Sequence, residues 1–311
     1  MYRKFTDSIS SIIRSDSAAS TIVAVALLLG ILAIFFMNIQ VHFVPQWQED
    51  TESVNMMKVC EDMSRLKSNV DILSTGMNID PNSRNTLNTP IRMGSEELPL
   101  LQRTRPVNTL TLNPEGSLMY ASITYNNSTT EFIPGDGLLP SGVITYRASN
   151  YNYVDQVYAY ENGALIISQN NRSIIRLPPL ISLEKGPGVI NLSVDAICLK
   201  GNSETLSSNG VEDLRLRSRL RADLYDISGL ESFYNITSSS LTIFTDYPEA
   251  WETYFTNLAE SEELHHTDYD VTSNYDSAMN SYAVTLTLHP ANKDLEVKIY
   301  KSMIDVEMIK W

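Results

Sequence analysis

Four arginines spaced two apart, Arg215, Arg217, Arg219 and Arg221, are interleaved with Leu214, Leu216, Leu220 and Ala222 in the stretch 212–224. A β-strand sends alternate side chains to opposite faces, so this spacing sets four guanidinium groups in a row on one face of one strand. Guanidinium forks pair well with carboxylates, which makes the row a candidate contact for an acidic partner: a neighbouring copy of the chain or an acidic cell-wall polymer. The same pattern also describes a solvated sheet face paired with local Asp and Glu, where charge along a strand discourages aggregation.

Other residues with chemical potential are less well arranged. Asp268, Asp270, Asn274 and Asp276 cluster in DYDVTSNYD, an oxygen-rich stretch without the glycine and closing glutamate of a calcium loop, and it is expected to be a hydrated acidic loop. His265 and His266 follow Glu262 and Glu263 with no third ligand at zinc spacing, and are expected at a polar helix terminus. There is no G-x-S-x-G turn, no phosphate loop and no H-E-x-x-H, the patterns that would announce nucleophilic, nucleotide or zinc-hydrolase chemistry. A pair of converging carboxylates, as in a glycosidase, is the hydrolytic arrangement that needs no motif. The expectation is a chain that is not an enzyme and holds no cofactor and no metal.

Lys and Arg number 23 against 37 Asp and Glu, a net charge of −14, and a surface of that sign repels nucleic acid. Charged residues are 19% of the chain while Tyr is abundant at 16, a balance suited to strands and hydrated loops rather than to a helical bundle. Two cysteines, Cys60 and Cys198, allow at most one disulfide, which an oxidising exterior would permit; they are equally two small buried hydrophobes.

The elements that must position these residues begin with the stretch Ala18 to Met37, AASTIVAVALLLGILAIFFM, which has no charge and no proline. It is long enough to cross a bilayer core as a helix. Arg3, Lys4 and Arg14 precede it and Glu49, Asp50 and Glu52 follow, so the positive-inside rule puts the N-terminus in the cytoplasm and the C-terminal domain at the cell surface. An ordinary secretory signal carries its small residues after the apolar run. Here Ser17, Ala18, Ala19 and Ser20 come before it.

In that placement, Asp16 to Val25 resembles the N-terminal domain of archaeal type IV pilins, with Thr21 and Ala24 standing where the family usually has Pro and Gly. The resemblance implies a prepilin peptidase as a partner, cutting between Ala18 and Ala19 on the cytoplasmic side and leaving the helix on the mature protein. It implies packing against copies of the chain or other pilin-like subunits through that helix. A plain uncleaved signal anchor gives the same topology.

Pro45 is expected to kink or interrupt the helix, with His42, Phe43 and Trp47 at the membrane interface. Beyond it Met56, Val59, Met63, Leu66, Val70 and Leu73 recur at spacings of three and four, an apolar stripe along one helix face. The stripe packs either against copies of itself in a filament or against the chain's own β-domain.

The expected organisation is a cytoplasmic leader over 1–18, a transmembrane helix over 19–44, a stalk helix over 45–75, an irregular proline-rich connection over 76–116 and a β-rich extracellular domain over 117–311. In that domain QVYAYE and ALIIS flank Asn162-Gly163, a pair that fits a two-residue hairpin turn. Further strand patterns at 117–124, 143–147, 189–199, 240–245, 282–288 and 295–306 predict an α+β, mainly β fold: an antiparallel sandwich or jelly-roll-like domain with one short helix. That helix has Asp246 as cap, Pro248 in its first turn, and Ala250, Trp251, Tyr254, Phe255 and Leu258 as its apolar face.

Archaeal pilin-like membrane proteins of uncharacterised function show a looser resemblance here: R-M-G at Arg92 to Gly94, N-P-x-G at Asn113 to Gly116, Y-E-x-G-A at Tyr160 to Ala164, Pro178-Pro179 and P-x-x-W at Pro248 to Trp251. It implies a shared location at the membrane and no chemistry. N-x-S/T triplets at Asn126, Asn127, Asn171, Asn191 and Asn235 are candidate glycosylation sites on an exported chain.

Overall fold

The computed structural model describes residues 21–94, 108–125, 129–133, 138–226, 236–290 and 293–309. Ala18, Ala19, Asn126, Asn127 and Asn235 lie outside them. One helix, α1, runs from Thr21 to Ile79. Pro45 has no amide hydrogen to return to the carbonyl four residues back, and the ladder adjusts just before it: Ile39–Phe43 form a π-helical turn, with the Val44 amide donating to the Ile39 carbonyl. The expected interruption is therefore a widened turn, and α-helix resumes from Val44 to Ile79, beyond the expected end at 75.

In chain order the described strands are β1 (Thr86–Arg92), β2 (Asn108–Asn113), β3 (Leu118–Tyr125), β4 (Thr129–Ile133), β5 (Leu139–Pro140) and β6 (Val143–Arg147). They continue as β7 (Gln156–Glu161), β8 (Ala164–Gln169), β9 (Arg172–Leu177), β10 (Ile181–Lys185), β11 (Val189–Lys200) and β12 (Glu204–Ser208). The last are β13 (Val211–Asp226), β14 (Ile236–Thr245), β15 (Tyr269–Asp276), β16 (Ser281–Leu288) and β17 (Asp294–Ile309), with helix α2 (Pro248–Ser261) between β14 and β15.

Three sheets result, in the orders β1-β13-β17-β11-β10, β12-β2-β6-β7-β8-β9 and β15-β16-β14-β3-β4, with β5 on β3. This is the mainly β fold expected. One pair, β11 with β17, is parallel, from Val189↔Asp294 to Lys200↔Asp305; a parallel pair requires a long crossover, and here the connecting chain includes α2.

Long strands let the first sheet serve two cores. Leu192, Val194, Ala196 and Cys198 of β11, with Leu295, Val297 and Ile299 of β17, face the third sheet and α2. Ile197 and Leu199 point the other way and, with Ile304 and Val306 of β17, Leu214 and Leu216 of β13, and Leu110, Ile144 and Tyr146 of the second sheet, pack against one face of the far half of α1. The β7–β8 hairpin turns at Asn162 (φ 48°) and Gly163 (φ 81°), the positive-φ pair that a type I′ turn demands.

Three local expectations are corrected. Residues 76–116 are not wholly irregular, since β1 and β2 fall there; β1 is an edge strand beside β13, where Pro90 can sit without a ladder donor. The acidic stretch DYDVTSNYD is mostly β15, paired with β16, so alternation leaves Asp270 and Asn274 exposed along its length, while Asp268 lies 3.5 Å from Lys293. Asp246 does not cap α2: Tyr247 holds that position and donates its amide to Thr245 Oγ1 at 2.9 Å.

Candidate functional site

The apolar half of α1 presents every large side chain from Ile22 to Met37 to the outside. Sheltering a dozen such side chains from water is worth on the order of 20 kcal/mol, too much to forgo in solution, and the helix is long and apolar enough to span a membrane. The other half is the reverse. Met56, Val59, Met63, Leu66, Val70 and Leu73 are all buried, joined by Met77, in the core between the first and second sheets. The stripe therefore docks on its own β-domain, while the opposite face of the same half stays exposed at Val54, Met57 and Ile72.

Polar residues flanking the stripe fix the helix in register. The Glu52 carboxylate, 2% exposed, accepts the backbone amides of Tyr151, Asn152 and Tyr153 at 3.0, 2.9 and 2.8 Å. Buried Asp62 receives Arg92 Nε and Nη2, each at 2.7 Å, and the Arg92 amide at 3.1 Å. Asn69 Nδ2 donates to Thr89 Oγ1 at 2.8 Å. Lys67 pairs with Asp71 at 2.7 Å; burial raises the Asp71 carboxyl above the ordinary range, with the lysine pulling the other way.

Past Leu73 the seam ends in a charged knot. Arg221 Nη1 pairs with Asp195 and donates to Ser302 Oγ at 3.0 Å, and its guanidinium lies 4.5 Å from the Tyr300 ring centre. Ser74 and Ser302 donate to the same aspartate at 2.7 and 2.9 Å, so one knot joins α1, β11, β13 and β17. Buried ions persist only when paired and hydrogen-bonded.

Arg221 thus departs from the row expected on one face. A bulge between Ser218 and Leu220 adds a residue to β13 and reverses the alternation: Arg215, Arg217 and Arg219 stay exposed, Leu220 also turns out, and Arg221 turns in. Of the three outward arginines, Arg215 meets Glu307 at 3.1 Å and Arg219 meets Asp305 at 3.3 Å, both on neighbouring β17. With Lys200 and Arg217 they line a cleft of about 320 Å³.

The cysteines are unbonded. Cys60 lies at the edge of the core around α1, whereas Cys198 faces the opposite core, because its neighbours Ile197 and Leu199 take the side of β11 that meets the helix. The strand's alternation rules out the bridge. Burial pushes the Cys198 thiol up to about 11.

One functional-looking acid was not legible in the sequence. Glu161, at the end of β7, is 1% exposed, and its Oε1 accepts Thr245 Oγ1 and Trp251 Nε1, each at 2.5 Å. Burial raises its carboxyl to about 7, against the pull of those two bonds. It borders a cleft of about 160 Å³ that Asp246 also lines, yet its bonded oxygen ties α2 to the sheets.

Of the glycosylation candidates described, Asn171 is exposed in the β8–β9 turn, while Asn191 sits within β11 with its Oδ1 buried. His265 bonds Thr267 at 2.8 Å and His266 stacks near Tyr269, just past α2; they do not converge on Glu262 and Glu263 as a ligand set.

Fold and site together define a β-domain protein built around, and locked to, the continuation of a membrane-length helix. A family model described as a family of unknown function (DUF7289) matches residues 18–291, and the chain belongs to that family. The matched segment takes in the apolar helix together with most of the β-domain. No curated protein and no solved structure matches the chain.

Proposed function

We propose that the chain is a pilin-like surface protein, anchored in the cytoplasmic membrane by α1 and displaying its β-domain outside the cell in a structural, filament-associated or adhesive role. The observation that supports this best is the division of one continuous helix into an apolar half left uncovered among the described residues and a half docked along one face on its own domain. Arg3, Lys4 and Arg14 before the apolar run, against Glu49, Asp50 and Glu52 after it, favour a cytoplasmic N-terminus. The small residues around Ala18 and Ala19 supply the resemblance to pilin processing. An adhesive contact would draw on the Lys200–Arg217 cleft, where four cations outnumber the two carboxylates, Asp305 and Glu307, that pair with Arg219 and Arg215.

Mass spectrometry of the protein purified from its native membrane tests the pilin part of this reading. A mature chain beginning at Ala19 is expected. A chain still carrying Met1 or Tyr2 makes α1 a simple signal anchor.

A further inference from the structure

We infer that the loop Asn150–Tyr153 is a second membrane contact, seating the Tyr151 ring in the headgroup layer of the bilayer that α1 spans; this rests on the anchored reading above. The first argument is height. Between Asp16 and Glu49 the chain carries no Asp, Glu, Lys or Arg, and Asp50 follows at once. A helix of that length spans roughly 48 Å at a rise of about 1.5 Å per residue, or roughly 45 Å across the bilayer at an average tilt of about 20°, which matches a bilayer measured through its headgroups, about 40–45 Å. Gln48 therefore stands at the outer edge of the headgroups.

The second argument is attachment. Asn152 Nδ2 donates to Gln48 Oε1 at 2.7 Å, and the three successive amides of Tyr151, Asn152 and Tyr153 are all held by Glu52, one turn further along. The loop's base is closed by the Asn150 amide on Asp155 Oδ1 at 2.7 Å and by Asn150 Nδ2 on the Val154 carbonyl at 2.9 Å. With its backbone pinned at that level, the loop cannot slide along the helix.

The third argument is what the loop presents. Tyr151 is 60% exposed although its backbone is fixed. On the helix just below, Phe43 and Trp47 are 48% and 44% exposed, with ring centres 6.1 Å apart. An aromatic body with a polar tip is the side-chain type that collects at the membrane–water boundary. The acids at Glu49, Asp50 and Asp155 make uncharged or zwitterionic headgroups the matching surface, since anionic ones would be repelled. Two contacts from different parts of the chain would seat the domain on the bilayer at a set height.

Nitroxide labels on the full-length chain in phosphatidylcholine nanodiscs test this, read by collision with oxygen, which concentrates in lipid, and with a water-soluble nickel chelate. A Cys60→Ser background suffices because Cys198 is fully buried. Labels go on Tyr151→Cys, on Ile34→Cys within the apolar run, and on Ile79→Cys, 87% exposed and roughly 47 Å along the helix from Gln48. The expected result is an oxygen-to-nickel ratio at 151 several-fold above that at 79, with 34 higher still. A ratio at 151 equal to that at 79, with 34 still in lipid, overturns the loop contact and leaves the anchor standing. Water-like ratios at all three positions overturn the anchor as well.

Discussion

Replacing Arg221 by alanine is expected to lower the stability of the β-domain by about 3–5 kcal/mol, the usual cost of leaving a buried charge without its partner, whereas Arg217→Ala should change it by less than about 0.5 kcal/mol. Both arginines lie on β13, and by their spacing alone they would share a face. The bulge between Ser218 and Leu220 separates them: Arg217 is exposed, and Arg221 is paired with Asp195 beneath Ser74 and Ser302. Without Arg221, Asp195 keeps two hydroxyl donors and no cation. Chemical denaturation of the full chain in detergent micelles measures the difference, and a double replacement, Arg221→Met with Asp195→Leu, should recover much of the loss. Equal effects of the two alanine substitutions would show that the inward turn of Arg221 does not matter.

Glu161→Gln is expected to stabilise the protein above neutral pH by up to about 3 kcal/mol and to leave it nearly unchanged near pH 4. The folded-state value of about 7 stands above the ordinary 4.5, so between those limits the folded chain binds more protons at this site than the unfolded one. The contribution of Glu161 is then fully present below about pH 4.5, falls as pH rises, and reaches its lowest level above about pH 7, at about 1.4 kcal/mol per pH unit. Glutamine keeps a carbonyl oxygen for Thr245 and Trp251 and has no proton to lose. Subtracting variant from wild type across the pH range removes the background of the other acids. Parallel profiles from pH 4 to pH 8 would mean that Glu161 is not desolvated as described.

What was legible in the sequence follows from how local each signal is. The apolar run, the stripe from Met56 to Leu73, the Asn162-Gly163 turn and strands such as β6 and β11 are set by their own residues, through hydrophobic period or turn chemistry. β1 is not: TLNTPIR holds two threonines, an asparagine and a proline, and becomes a strand because β13 lies beside it and Asn69 and Asp62 of α1 bond to it. Glu161 reads as a turn-flanking acid, and only the docking of α2, some ninety residues later, buries it. The bulge in β13 leaves no mark in an alternating pattern, and spacing alone puts Arg221 with its neighbours. The buried polar residues of α1 had a weak signal, since Glu52, Asn55, Asp62 and Lys67 fall three or four residues from stripe positions, where a helix docked on a sheet would bury them.

The opposite fates of the two halves of α1 have a mechanical consequence. Glu52, Asp62, Asn69 and Ser74 tie the helix to loops and strands along its buried length, so force on the apolar half passes into the sheets through hydrogen bonds and ion pairs rather than through a flexible linker. The stripe from Met56 to Leu73 is occupied by the chain's own sheets and is closed to packing against other subunits.

Proteolysis of intact cells, followed by mass spectrometry of the membrane fraction, tests most directly whether this helix divides the chain between lipid and the cell exterior. Peptides from the β-domain should disappear while the segment around residues 21–43 stays with the membrane. A β-domain that survives on intact cells and is digested only after lysis would contradict the account.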